Sequence, residues 1–181
     1  MQHATFGLRT DEQIQYWYNF KPWKDPDFKK IENEYNRIIK SFFENEAELM
    51  EGAEYILNLI EKSGTAMALA SSSNMELINT FVDRFRIRDK FSLLYSAENE
   101  EYGKPHPAVY LSTAKKLKVH PSSCLAFEDS LNGVIAAKAA KMKVVAVPDK
   151  RHRELPGYGI AEMKLNSLLE FNSSTLQNLT K

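Results

Sequence analysis

Cysteine is nearly missing from this chain. Cys124 stands alone among 181 residues, so no internal disulfide can form, and thiol usage this sparse points to a reducing compartment, with a cytoplasmic location as the expectation. Within SCLAF that cysteine reads as a small core residue. An excess of charge of either sign is also missing. Lys plus Arg and Asp plus Glu number 24 each, which argues against a nucleic-acid or anionic-membrane surface. No apolar run approaches the ~20 residues of a membrane span. The opening stretch MQHATFGLRTDEQ has no apolar segment of the kind a secretory signal needs. Internal repeats and low-complexity tracts are absent. What remains is the composition of a soluble globular chain, long enough for one domain with a small appendage, and a monomer is expected.

The first third carries helical signals only. TDEQIQYWYNF, from Thr10, combines a capping residue, early acids and aromatic residues at helical spacing. KPWKDPDF breaks the pattern. A long helix is predicted over about 27–49, with Phe28, Ile31, Tyr35, Ile38, Ile39 and Phe42 on one face, and another over about 52–62. The texture changes at Gly64. TAMALAS, FSLLYSA, SCLAFED and KVVAVP read as short buried strands, and NMELINTFVDRF, HPAVYLSTAKKL and SLNGVIAAKAAK as the helices between them. Such alternation means βαβ units in a doubly wound parallel sheet. MKLNSLLEF suggests a last short strand with a helical turn, and the polar tail SSTLQNLTK is expected to fray. The predicted fold class is therefore α/β, a Rossmann-like core over 51–181 preceded by a helical segment over 1–50.

Ligands of such sheets bind beyond the carboxyl ends of the strands, so polar residues there carry the most functional weight. The first strand ends in Ser71-Ser72-Ser73-Asn74, which suits either an anion site or ordinary helix capping. The second is followed by Gly103-Lys104-Pro105-His106-Pro107. This loop either aims an ammonium at a phosphate or carboxylate or leaves it solvated, and His106 is given no catalytic role. The third ends in Glu128-Asp129-Ser130. Adjacent carboxylates repel unless a cation sits with them, and Mg²⁺ is the natural one. The alternative is that Asp129 or Ser130 caps the next helix. Together, a hydroxyl, a lysine and a metal carboxylate along one sheet edge form a phosphoryl-transfer set.

The ordered motifs ALASSSN, GKPHPAVY and FEDSLNGVIAAKAAKM resemble the second, third and fourth motifs of the haloacid dehalogenase-like hydrolases. Within that superfamily they are similar to the sugar-phosphatase and β-phosphoglucomutase-like subgroup, above all to the bacterial 2-deoxyglucose-6-phosphate (hexitol phosphate) phosphatases. FGLRTDEQIQYWYNFKPW resembles the cap of those enzymes and MKLNSLLEF their C-terminal end. The resemblance implies that Ser71, with the backbone of Ser72, binds the transferring phosphoryl group and that Lys104 neutralises it. It implies Asp129 as a ligand of Mg²⁺, direct or through water, with Glu128 beside it and with Ser130 and Asn132 shaping the loop. Arg9, in the cap, becomes a candidate for holding a sugar phosphate, and plain solvation on a helix surface is the other reading.

One half of that chemistry is missing. The family attacks with an aspartate at the end of an early apolar strand, and a second aspartate two residues on acts as acid and base. Here the one D-x-D, Asp25-Pro26-Asp27, follows no buried strand and reads as a helix start, with Asp25 as cap and Pro26 at the first helical position. The chain is thus expected to begin inside the cap, with the central first strand missing and a gap in the sheet. Three readings stay open. The chain is a truncated sugar phosphatase, inactive alone, or a non-catalytic protein that keeps a phosphate-binding pocket, or an unrelated doubly wound binding domain.

Overall fold

The computed structural model describes residues 4–180. Met1–His3, in the opening stretch read as lacking a signal, and Lys181, in the polar tail, lie outside the described residues. The predicted alternation is present. Helices α1 (Thr10–Phe20), α2 (Phe28–Asn45) and α3 (Ala53–Lys62) lead into β1 (Ala68–Ser71), α4 (Met75–Arg84), β2 (Leu93–Ser96), α5 (Ala108–Leu117), β3 (Leu125–Glu128), α6 (Leu131–Ala139), β4 (Lys143–Ala146), β5 (Met163–Lys164) and α7 (Ser173–Thr180). All strand pairs are parallel. No helix is long and apolar enough to cross a membrane.

Side chains alternate across a strand, and β4 uses both faces. Val144 and Ala146 join one cluster with Val109, Tyr110, Ala114, Val134, Ala137 and Tyr158, under α5 and α6. Val145 and Val147 join a second with Ile56, Ile60, Leu165, Leu168, Phe171 and Leu176, under α3 and α7. Each valine so enclosed contributes roughly 1.5–3 kcal/mol relative to exposure. Cys124 packs against the first cluster, as read, and burial pushes its thiol up, away from reactivity.

The sheet is split. β1 pairs with β2, β4 pairs with β3 on one side and β5 on the other, and among the described residues no strand joins the halves. Parallel pairing uses alternate residues of a strand. The Ser92 N–H reaches Met67 O, so residues 67, 69 and 71 face β2, and Ala68 and Ala70 face the split. On the other side, Lys143 N–H reaches Cys124 O and Val147 N–H reaches Glu128 O, so Leu125 and Phe127 face it.

Three local readings are corrected. The cap of α2 is Asp27, whose carboxylate accepts the Lys30 N–H at 2.9 Å, and not Asp25, which stands before Pro26 with φ +49°. Helix α2 ends at Asn45 rather than near 49. The tail does not fray over Ser173–Thr180. Asn172 Oδ1 accepts the Thr175 N–H at 3.0 Å, and Leu176 is buried in the second cluster. The apolar row of α2 is covered only in part, since Phe28, Tyr35, Ile38 and Phe42 are exposed while Ile31 and Ile39 are half-buried.

The split predicts a two-residue rhythm in backbone amide hydrogen exchange. Along β3, the Ala126 and Glu128 amides should be protected by β4, and those of Leu125 and Phe127 should exchange much faster. Uniform protection along β3 would show that its outer edge is paired.

Candidate active site

The Ser71–Asn74 turn divides its labour. Asn74 caps α4 by accepting the Leu77 N–H at 2.9 Å, so the capping alternative holds for that residue. Ser71 Oγ accepts the Ser73 N–H at 3.1 Å, and Ser71 lines a cavity at the mouth of the split. The Ser72 hydroxyl turns away and donates to Gly7 O at 2.6 Å.

The two adjacent acids also divide. Glu128, the last residue of β3, points into the protein and is 7% exposed. Its carboxylate accepts from the Lys104 ammonium, the Tyr110 hydroxyl and the Ser130 hydroxyl, the last at 3.2 Å. It stands in this structure as the counter-ion of Lys104. The reason is the alternation of the strand, which buries residue 128 and leaves residue 129 at the exit. Gly133 makes the arrangement possible, because a Cβ there would fall 2.1 Å from the Glu128 carboxyl carbon. Ser130 is the cap of α6, accepting the Gly133 N–H at 3.0 Å, which frees Asp129 from that duty.

Lys104 is 6% exposed. Besides Glu128, its ammonium donates to Ala70 O at 3.4 Å, an edge carbonyl of β1 that faces the split, and lies 4.8 Å from the Tyr110 ring centroid. Burial first, then the charge of Glu128, holds the Tyr110 phenol well above its ordinary range, so it serves as a donor. Burial, then the Glu128 charge, also raises the Asp129 carboxyl, with Lys104 pulling back. Tyr158, whose hydroxyl donates to Asp129 O at 2.8 Å, is pushed up to about 12 by burial and by the charges of Asp129 and Glu128.

These residues meet. One cavity of about 320 Å³ is lined by Leu69, Ala70 and Ser71 on one side of the split, by Phe127, Glu128 and Asp129 on the other, and by Lys104. Phe43, Leu77, Ile78 and Phe81 close it with an apolar wall. A second cavity, of about 350 Å³, lies beyond the Ser71–Asn74 turn and is lined by Arg9, Thr10, Asn36, Ser72, Asn74 and Glu98 among others. Arg9 is held at its wall. Its guanidinium donates to Glu100 O at 2.7 Å and Ala97 O at 3.2 Å and pairs with Asp11 at 2.9 Å.

The donor set fits Mg²⁺ in one respect. Among the described residues, no group of three or more His, Cys, Asp or Glu can enclose a metal ion. Mg²⁺ does not need one, since one or two carboxylates suffice when phosphate and water complete the shell. Asp129 is such a carboxylate: it stands at the exit of β3, and partial desolvation there, then the Glu128 charge, holds it above its ordinary range, a shift that a divalent cation would reverse.

Tyr110, Gly133, Tyr158 and Glu12 carry no signal that the sequence reading used, nor does the contact of Glu12 with Gly103. Tyr110 and Gly133 lie inside the quoted motifs, six residues after Lys104 and three after Ser130, where helical spacing was the available signal.

Three comparisons bear on this site. The sequence model of the haloacid dehalogenase-like hydrolases matches residues 2–147. Hexitol phosphatase B of Escherichia coli (strain K12) is 37% identical over 172 residues, covering 95% of this chain and 78% of the relative. The putative phosphatase YhcW of Bacillus subtilis (strain 168) is 44% identical over 99 residues, 55% of this chain and 45% of the relative. Among solved structures, CbbY from Rhodobacter sphaeroides, in complex with phosphate, superposes with a TM-score of 0.83 at 22% identity, over 94% of this chain and 78% of that one. β-Phosphoglucomutase from Clostridium difficile gives 0.81 at 22%, over 98% and 79%. At these identities the structures establish the shared fold.

Gly133→Ala should destabilise the protein by about 1–3 kcal/mol, because its methyl group displaces the buried Glu128 carboxylate from Lys104. Gly159→Ala, with nothing within 4 Å of its Cβ position, should change stability by less than about 0.5 kcal/mol. Denaturant unfolding of both variants measures the difference, and equal values would contradict the packing around Glu128.

Proposed function

Because the chain belongs to the haloacid dehalogenase-like hydrolase family, we propose that its site serves the Mg²⁺-dependent hydrolysis of small sugar phosphates, hexose or hexitol phosphates above all. The observation that carries this reading is the convergence of Ser71, Lys104 and Asp129 on one cavity between two strand ends. The similarity to Hexitol phosphatase B supports the substrate class.

In this reading the phosphoryl group enters the cavity, where the Ser71 hydroxyl and the backbone N–H of Ser72 hold its oxygens. Lys104 neutralises it from below, and Glu128 and Tyr110 keep the ammonium aimed. Mg²⁺, held by Asp129 together with phosphate oxygens and water, supplies charge neutralisation when bound. Residues 1–50 act as the cap and 51–181 as the core. The second cavity offers hydroxyl, amide and carboxylate groups suited to the hydroxyls of a sugar or hexitol. The substrate is a small molecule rather than nucleic acid or a membrane, and the working form is a cytoplasmic monomer.

The attacking group is the remaining requirement. Among the described residues the cavity is lined by two carboxylates, Glu128, which is engaged by Lys104, and Asp129, assigned to the metal. Asp25 and Asp27 lie at the start of α2. We therefore propose that the nucleophile belongs to a further strand seated in the split between β1 and β3, so that the 181 residues alone act as a truncated form without turnover.

Phosphate release from a panel of sugar phosphates, with and without Mg²⁺, tests both parts. The 181-residue chain should give no turnover above background. Fusion of an apolar strand ending in F-D-x-D should give Mg²⁺-dependent hydrolysis. In that fusion Lys104→Ala should lower the rate by roughly 10²–10³, and Asp129→Asn should weaken the Mg²⁺ dependence. Turnover by the short chain would refute the missing-nucleophile part. A well-folded fusion inactive on every phosphate ester would refute the phosphatase and favour a phosphate-binding protein without catalysis.

A further inference from the structure

The stretch from Phe6 to Glu12 touches every loop of the candidate site. The Asn132 side-chain amide donates to Phe6 O at 2.9 Å, and the Ser72 hydroxyl donates to Gly7 O at 2.6 Å. These partners belong to opposite halves of the split sheet, Ser72 following β1 and Asn132 opening α6 after β3. Arg9 adds the loop that follows β2, through Ala97 O and Glu100 O. Glu12, in the first turn of α1, accepts the Gly103 N–H at 2.8 Å, one residue before Lys104.

Two glycines record how closely these pieces fit. At Gly7, whose φ is +87°, a Cβ would meet Ser130 Oγ at 2.4 Å. At Gly103, a Cβ would meet Glu12 Oε2 at 2.3 Å and Arg9 Cγ at 2.8 Å. The glycine backbone thus meets side chains as closely on the lysine loop as on the loop after β3.

We propose that residues 6–12 form a positioning strap that spans the split sheet at its mouth and sets Lys104 through the Glu12–Gly103 contact. Arg9 and Glu12 are then positioning residues, Arg9 through the carbonyls of Ala97 and Glu100. The role assigned to Lys104 rests on the phosphatase reading, but the strap itself does not. Among the described residues no strand pairing joins the halves of the sheet, so the distance from Ser71 to Asp129 depends on whatever ties the strand ends together. The strap supplies two such ties, at Ser72 and Asn132, and the Lys104 contacts to Ala70 and Glu128 supply another.

The test uses the 181-residue chain with Glu12→Ala and Glu12→Gln, read by amide hydrogen exchange and by titration with inorganic phosphate. In Glu12→Ala, exchange over 97–104 should quicken roughly tenfold or more, as for loss of a charge-assisted hydrogen bond, while Val144–Ala146 keep their wild-type protection. Phosphate affinity should fall several-fold. Glu12→Gln keeps an oxygen for the Gly103 N–H and should restore both. Unchanged exchange over 97–104 in Glu12→Ala, equal loss of protection in β4, or a glutamine variant as impaired as the alanine would each overturn the strap. Wild-type chain that binds no phosphate would instead refute the phosphatase reading, and the exchange data would still decide the strap.

Discussion

A buried carboxylate is tolerable only when its charge is answered, and Glu128 is the group around which the rest of the site is arranged. An uncompensated ion in a protein interior costs several kcal/mol, so every donor that reaches it is under constraint. Lys104 comes from the loop after β2, Tyr110 from α5 and Ser130 from the start of α6. One carboxylate thereby fixes three elements against the end of β3. Gly133 is part of the same constraint, since the carboxylate occupies the volume that any larger residue would need.

The pair Glu128-Asp129 illustrates how a strand turns two identical charges to different ends. Successive residues leave a strand on opposite sides, so the first acid is driven into the protein and the second emerges at the mouth. The inner one aims a cation, and the outer one faces the cavity with its carboxyl raised by burial and by its neighbour's charge. Ser130 completes the division by taking over the cap of α6.

The split between β1 and β3 coincides with this chemistry. Doubly wound sheets place ligand sites beyond the carboxyl ends of their strands, and the cavity that holds Ser71, Lys104 and Asp129 opens there. The edges at Ala68, Ala70, Leu125 and Phe127 meet no strand among the described residues, which leaves two half-sheets tied by side chains and by the 6–12 stretch. The exposed row Phe28, Tyr35, Ile38 and Phe42 on α2 belongs to the same picture, as apolar surface left without cover among the described residues.

Much of this was legible in the sequence. Short apolar runs closed by Ser71-Ser72-Ser73-Asn74, Gly103-Lys104-Pro105 and Glu128-Asp129-Ser130 fixed the strand count, the parallel alternation and the edge at which chemistry belongs, because periodicity and turn residues act locally. The absence of an early apolar strand foretold the split. Local pattern also misled. Asp25 and Asp27 are equally good caps in sequence, and the chain geometry around Pro26 chose the second. The tail looked too polar to pack, yet Leu176 and Leu179 alone find the second cluster. What only the tertiary structure decided are the partnerships across long sequence distances: Glu128 with Lys104 and Tyr110, Glu12 with Gly103, and Arg9 with the carbonyls of Ala97 and Glu100. Residue type announces that a charge needs a partner, but which partner it takes depends on how the elements pack, and that is written in no single stretch of the chain.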